Sequence, residues 1–163
     1  MGNSEQFEMF LRALLALGLG AAIGLEREFR GHEAGIRTIA LVCAGAAVFG
    51  AMSDASGDTR IAASVVQGIG FLGAGIIFQR GHAIRNVTTA ATIWVGASVG
   101  LLVGMRMELT AMLVAAAVIV LLELGPVSDW VYANRRPHRG GIPREDDPEV
   151  RGKRGSSVSQ GDP

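Results

Sequence analysis

The chain has 163 residues, room for one domain, and about half of them are apolar. Charged residues make up 18% and aromatic residues 6%, while glycine fills 23 positions, so a soluble globular domain is a poor fit and a membrane protein a good one. Basic and acidic side chains balance at 15 each, but they cluster in short islands between apolar runs, so the net charge says little; no nucleic-acid partner is expected, and the lone Cys43 excludes an intrachain disulfide.

Five apolar segments follow one another, at 7–25, 38–52, 61–78, 87–104 and 109–125. Each falls slightly short of the ~20 residues that cross a bilayer, a gap that flanking polar residues or local thinning closes. Five such segments joined by short loops predict an all-α fold, a polytopic transmembrane helical bundle with the lipid bilayer around it. No cleavable signal peptide is evident, so the first segment reads as a retained span.

The first segment carries Arg12, Ala16, Gly20, Gly24 and Glu28 at successive i+4 positions, a small-residue ridge with a charge at each end. It closes on Glu26, Arg27 and Glu28, and Arg37 and Thr38 open the second segment. The next loop holds Asp54, Asp58 and Arg60, with Asp58 placed to cap the third helix. Two carboxylates in a loop are a weak magnesium signal, and His32, His82 and His138 lack zinc-site spacing, so the metal assignment stays open.

The third segment contains QGIGFLGAGIIFQRG, where Gly68, Gly70 and Gly73 spell G-x-G-x-x-G and Gly75 extends it. A dinucleotide turn needs a strand before the glycines and an acid about 20 residues beyond them. Here a long apolar run precedes them, and no Asp or Glu occurs between Asp58 and Glu108. The glycines instead fit a membrane helix with small residues on two faces: Ser64, Gly68 and Gly75 on one, Ala62, Ala63, Gly70 and Gly73 on the other. That pattern predicts a third helix at the centre of the bundle. Gln67 within it is either an interhelical hydrogen-bonding group or a functional polar group.

Arg85 and Asn86 lead into the fourth segment, where Thr88, Thr92, Gly96, Gly100 and Gly104 form an unbroken i+4 ridge. Thr88, Thr89 and Thr92 are able to bond back to their own helix carbonyls. Glu123 near the end of the fifth segment is placed to snorkel. Arginine is rich in the first loop, the third loop and the C-terminal flank and sparse elsewhere, which predicts an N-terminus outside and a cytoplasmic C-terminus. The transmembrane domain is expected over 1–133. Residues 134–163, rich in Pro, Gly, Ser and mixed charge, are expected to form a disordered cytoplasmic tail.

Glu26, Arg27, Glu28, Arg37, Thr38, Arg85, Asn86 and Thr88 share one expected depth. They are either interface anchors and caps, or an ionic network that receives a cation or a partner's polar group. No nucleophile–base arrangement occurs at a credible depth, so neither an enzyme nor a cofactor is expected.

The segments GAAIGLERE at 20–28, GIRT at 35–38, DTRIAASVVQGIGFLGAGIIF at 58–78 and NVTTAATIWVGASVG at 86–100 resemble the MgtC/SapB family of bacterial inner-membrane proteins, over about residues 10–125. The resemblance marks Glu26, Arg27, Glu28, Gly35, Arg37, Thr38, Asp58, Arg60, Gly68, Gly70, Gly73, Gly75, Thr88, Thr89, Ala90, Ala91 and Trp94 as motif positions. It implies five spans in the inner (plasma) membrane and a link to magnesium homeostasis and adaptation to low magnesium. It further implies a link to virulence and to control of the F-type ATP synthase through helix contacts with another membrane protein. Self-association into a homo-oligomer is the other partner expectation, and a magnesium or other cation transporter the alternative function. Two departures stand out: Ser64 and Gln67 exchange the polar types many members carry there, and a tail stands where the virulence members carry a folded domain.

Overall fold

The computed structural model describes residues 2–78 and 86–124. Five helices follow in order: α1 (Asn3–Phe29), α2 (Ile36–Ser56), α3 (Thr59–Phe78), α4 (Val87–Gly104) and α5 (Glu108–Glu123). No strand occurs among the described residues. The first four are each long and apolar enough to cross a membrane. Helix α5 carries no charge between Glu108 and Glu123, but its 16 residues extend only about 24 Å. The protein is a multi-pass membrane bundle. The expected tail lies outside the described residues.

The breaks between helices follow from local chemistry. Gly57 ends α2 in the left-handed region (φ 67°), where a side chain on Cα would be strained. Asp58 then caps α3, its Oδ1 accepting from the Arg60 backbone N–H at 3.0 Å, as the sequence suggested. Asn86, one of the residues that tolerate positive φ, precedes α4 at φ 64°.

The centre of the bundle is α2 packed between α1 and α4. Small-residue ridges bring these backbones together. A Cβ placed on Gly20 would lie 2.7 Å from both the Ile39 carbonyl and Cys43 Sγ, and one on Gly24 would lie 2.6 Å from Ile36 Cα. On the other side of α2, a Cβ on Gly100 would collide with the Cys43 carbonyl and one on Gly104 with the Ala47 carbonyl. Ile39, Cys43 and Ala47 thus form one row of α2 held between two glycine ridges. The Cys43 thiol donates to the Gly96 carbonyl at 2.9 Å. Ile23, Ile93, Val99 and Val103 complete the core.

The expectation of a central α3 is not met. Helix α4 touches every other helix, whereas α3 is a flank resting on α2 and α4. Of the α3 glycines only Gly73 is buried, and a Cβ on Gly68, Gly70 or Gly75 would meet no atom within 4 Å. Physically, a ridge clears room for a neighbour only where all its small residues align on the buried side. Those of α4 from Thr92 to Gly104 do so opposite α2; those of α3 spread around the helix, and most point away. Between α2 and α3 runs an apolar groove of about 460 Å³ lined by Leu41, Phe49, Ser64, Gly68 and Leu72 among others.

Gly100→Ala therefore forces α2 and α4 apart and is expected to lower stability by about 1–3 kcal/mol. Gly68→Ala enters open space and should change it by no more than about 0.5 kcal/mol. Thermal unfolding of the two variants in one detergent separates them.

Candidate functional site at the arginine-rich end

Gly24 lets the first turn of α2 sit against the last turns of α1, and that contact covers two charged residues. Glu26 is 7% exposed and Arg27 3%, in a helix whose apolar stretch ends just before them. Arg27 Nη1 lies 3.7 Å from Glu26 Oε2, and Arg30 Nε lies 2.7 Å from Glu26 Oε1, one turn further on. Arg30 also reaches α5, its Nη2 standing 2.6 Å from Glu123 Oε2 and 3.4 Å from the Glu123 carbonyl. The four charges form a chain from the α1–α2 contact to the end of α5. It is held by charge more than by alignment: neither Glu26 oxygen, nor Arg27 Nε or Nη2, makes a hydrogen bond.

Glu28 and Glu33 turn the other way. Glu28 Oε2 accepts from the Ile36 backbone N–H at 2.9 Å, placing a carboxylate on the positive end of α2. A Cβ on Gly35 would lie 2.6 Å from that same oxygen, the movable end of a side chain, so a larger residue there would displace the Glu28 carboxylate from its cap. Glu33 Oε2 accepts from the Asn86 side chain at 3.0 Å, tying the α1–α2 loop to the start of α4. Glu28, His32, Glu33, Gly35, Arg37 and Thr38 line a polar cavity of about 410 Å³.

Of the expected rim residues, Glu26 and Arg27 join the buried ionic chain. Glu28, Arg37 and Thr38 line the cavity, and Asn86 anchors it through Glu33. Thr88 is exposed and only its carbonyl is engaged, accepting from the Thr92 hydroxyl at 2.8 Å, the back-bond anticipated for these threonines. Thr89 is buried and Trp94 is 46% exposed. Gln67 lies on the outer face of α3 and makes no hydrogen bond to any described residue, so the interhelical bond expected inside the bundle does not form among the described helices. The reason is the flank position of α3. Arg30, Glu33 and the role of Glu123 were missed by the sequence reading. The i,i+4 spacing of Glu26 and Arg30 was the visible signal for the first of these.

The opposite end carries a second set of charges. Arg12, 13% exposed at its side chain, lies 3.1 Å from Glu8 and 3.7 Å from Glu108. Arg106, at φ 65°, pairs with Asp54 at 3.1 Å. Asp58 pairs with Arg60 at 3.2 Å, so the expected cluster of Asp54, Asp58 and Arg60 separates into two pairs. Among the described residues, no group of three or more His, Cys, Asp or Glu side chains stands where it could hold a metal ion.

The family model described as the MgtC family matches residues 13–129. Protein MgtC of Salmonella typhimurium is 48% identical over 118 residues, 71% of this chain and 50% of that protein. Protein MgtC of Brucella abortus is 56% identical over 90 residues, 53% of this chain and 38% of that protein. The chain spans about half the length of the Salmonella relative. No solved structure matches it.

Removing Glu26 leaves the buried Arg27 without its counterion, whereas removing Arg27 leaves Glu26 still paired with Arg30 at 2.7 Å. Glu26→Leu alone is expected to cost about 3–5 kcal/mol, Arg27→Met less, and the double variant less than the sum. A double-mutant cycle of unfolding in detergent measures this, and additive losses would show the two charges to be independent.

Proposed function

The chain belongs to the MgtC family, and on that premise we propose that it is a regulatory protein of the bacterial inner membrane that serves adaptation to low magnesium. It acts by helix contact with another membrane complex rather than by passing ions. One observation carries this reading: the axis of the bundle is filled. Ile39, Cys43, Ile93, Val99 and Val103 are at most 1% exposed, and the glycine ridges leave no spacing between α2 and either α1 or α4 for a hydrated ion. Magnesium sheds its water reluctantly, which makes a dry, close-packed axis a poor conduit for it.

The large aliphatic faces of α1 and α5 meet lipid, with the arginine-rich end in the cytoplasm by the positive-inside rule. The F-type ATP synthase is the partner the family likeness favours. The Glu26–Arg27–Arg30–Glu123 chain, buried at Glu26 and Arg27, is where such a contact would be sensed, because it joins the end of α1 to the end of α5.

A strain lacking the gene, grown in graded magnesium with ATP and membrane potential recorded together, tests this. The expected result is a growth defect confined to low magnesium, with altered ATP, restored by the wild-type chain and not by Glu26→Gln. Purified protein in liposomes is expected to give no magnesium flux above empty vesicles. Flux abolished by Glu28→Gln or Glu33→Gln would transfer the function to transport.

A further inference from the structure

The outer face of α3 does not have the composition of a lipid-facing surface. The exposed faces of α1 and α5 present Leu11, Leu14 and Leu17, and Leu109, Leu113 and Leu121. The exposed face of α3 presents Ala63, Gln67, Gly70 and Ala74, flanked by Val66 on one side and by Phe71, 81% exposed, on the other. Gln67 lies near the middle of a helix long enough to span the membrane. Its amide has two donors and one acceptor oxygen, and no described residue bonds to it. In a hydrocarbon environment a polar side chain without a partner is strongly disfavoured. The Ser64 hydroxyl one turn away is already used, donating to the Ile61 carbonyl at 2.7 Å.

The spacing is as informative as the composition. Arg60, Ala63, Gln67, Gly70 and Ala74 follow one another at intervals of three, four, three and four residues. That is the 3.5-residue repeat of a left-handed helix pair, with small residues at the contact and one polar residue within it. A Cβ on Gly70 meets no atom within 4 Å in the single chain, so the seam is open.

The geometry points to a second copy of this chain, packed through α3 about a two-fold axis along the membrane normal. The amide is self-complementary, so Gln67 from each copy donates to and accepts from the other across the axis. At the end of the seam the Arg60 side chain is 92% exposed, 3.2 Å from Asp58. A parallel mate presents the same pair, so each arginine also meets a carboxylate of the other copy. The surface is separate from the ionic chain at the arginine-rich end and does not rest on the magnesium reading.

Single cysteines at Ala63, Gln67, Gly70 and Ala74, oxidised in native membranes, test this directly. Cys43 is fully buried, so the wild-type chain supplies the baseline. Disulfide-linked dimers are expected at the seam positions, several-fold above Leu72→Cys on the groove side of α3 and Leu113→Cys on α5. With Ala63→Cys as reporter, Gln67→Leu is expected to lower the dimer yield roughly threefold to tenfold. Gly70→Ile should lower it further while leaving accumulation and melting of the chain unchanged. Dimer yields no higher at the seam than at Leu113→Cys would overturn the assignment. So would yields indifferent to Gly70→Ile, or seam cysteines that join only to a protein of different mass.

Discussion

The closeness of three backbones sets the terms for the rest of this fold. A row of α2, Ile39, Cys43 and Ala47, is met by Gly20 of α1 on one side and by Gly96, Gly100 and Gly104 of α4 on the other. In a membrane no hydrophobic effect drives helices together, since lipid tails are as apolar as leucine, so contact area and van der Waals fit must do so. Glycine supplies that fit by removing the atoms that would hold carbonyls and Cα atoms apart. The thiol of Cys43 fills the junction and returns a hydrogen bond to Gly96, which makes it a packing element with a polar tie.

The same closeness explains the burial of charge at the arginine-rich end. Once Gly24 admits the start of α2, Glu26 and Arg27 lose their water, and their mutual attraction with Arg30 offsets only part of that loss. A buried pair of this kind is weak evidence of stabilisation and better evidence of a fixed arrangement. Through Arg30 and Glu123 the arrangement extends to α5 at the surface. A separate, exposed contact between Glu33 and Asn86 ties the α1–α2 loop to the start of α4.

Helix number and type were legible in the sequence because five long apolar runs separated by charged islands admit few other readings. The α1 and α4 ridges were legible too, since a straight i+4 line of small residues has one face to offer. The place of α3 was not. Gly68, Gly70, Gly73 and Gly75 are equally consistent with a helix packed inside the bundle and with one presenting a face outward, because periodicity records which residues share a face but not what that face meets. At the site, Glu26, Arg27 and Asn86 were readable as an end cluster. Their partners Arg30, Glu33 and Glu123 were not, because two of those contacts join residues 53 and 93 positions apart, and only folding brings them together.

Helix α5 differs from the others in how it is attached. Its buried face is limited to Ala111, Ala115 and Leu122, while salt bridges hold it at both ends, Arg12 to Glu108 and Arg30 to Glu123. A slat fastened at its two tips with little adhesive along its length is the first piece of an assembly to lift. In the hierarchy of local openings, α5 thus lifts more readily than the α1–α2–α4 centre, and ionic strength governs it more than it governs that glycine-packed centre. The bundle is in this sense a rigid three-helix frame with two lighter walls, α3 and α5, of which α5 is the one fastened by charge.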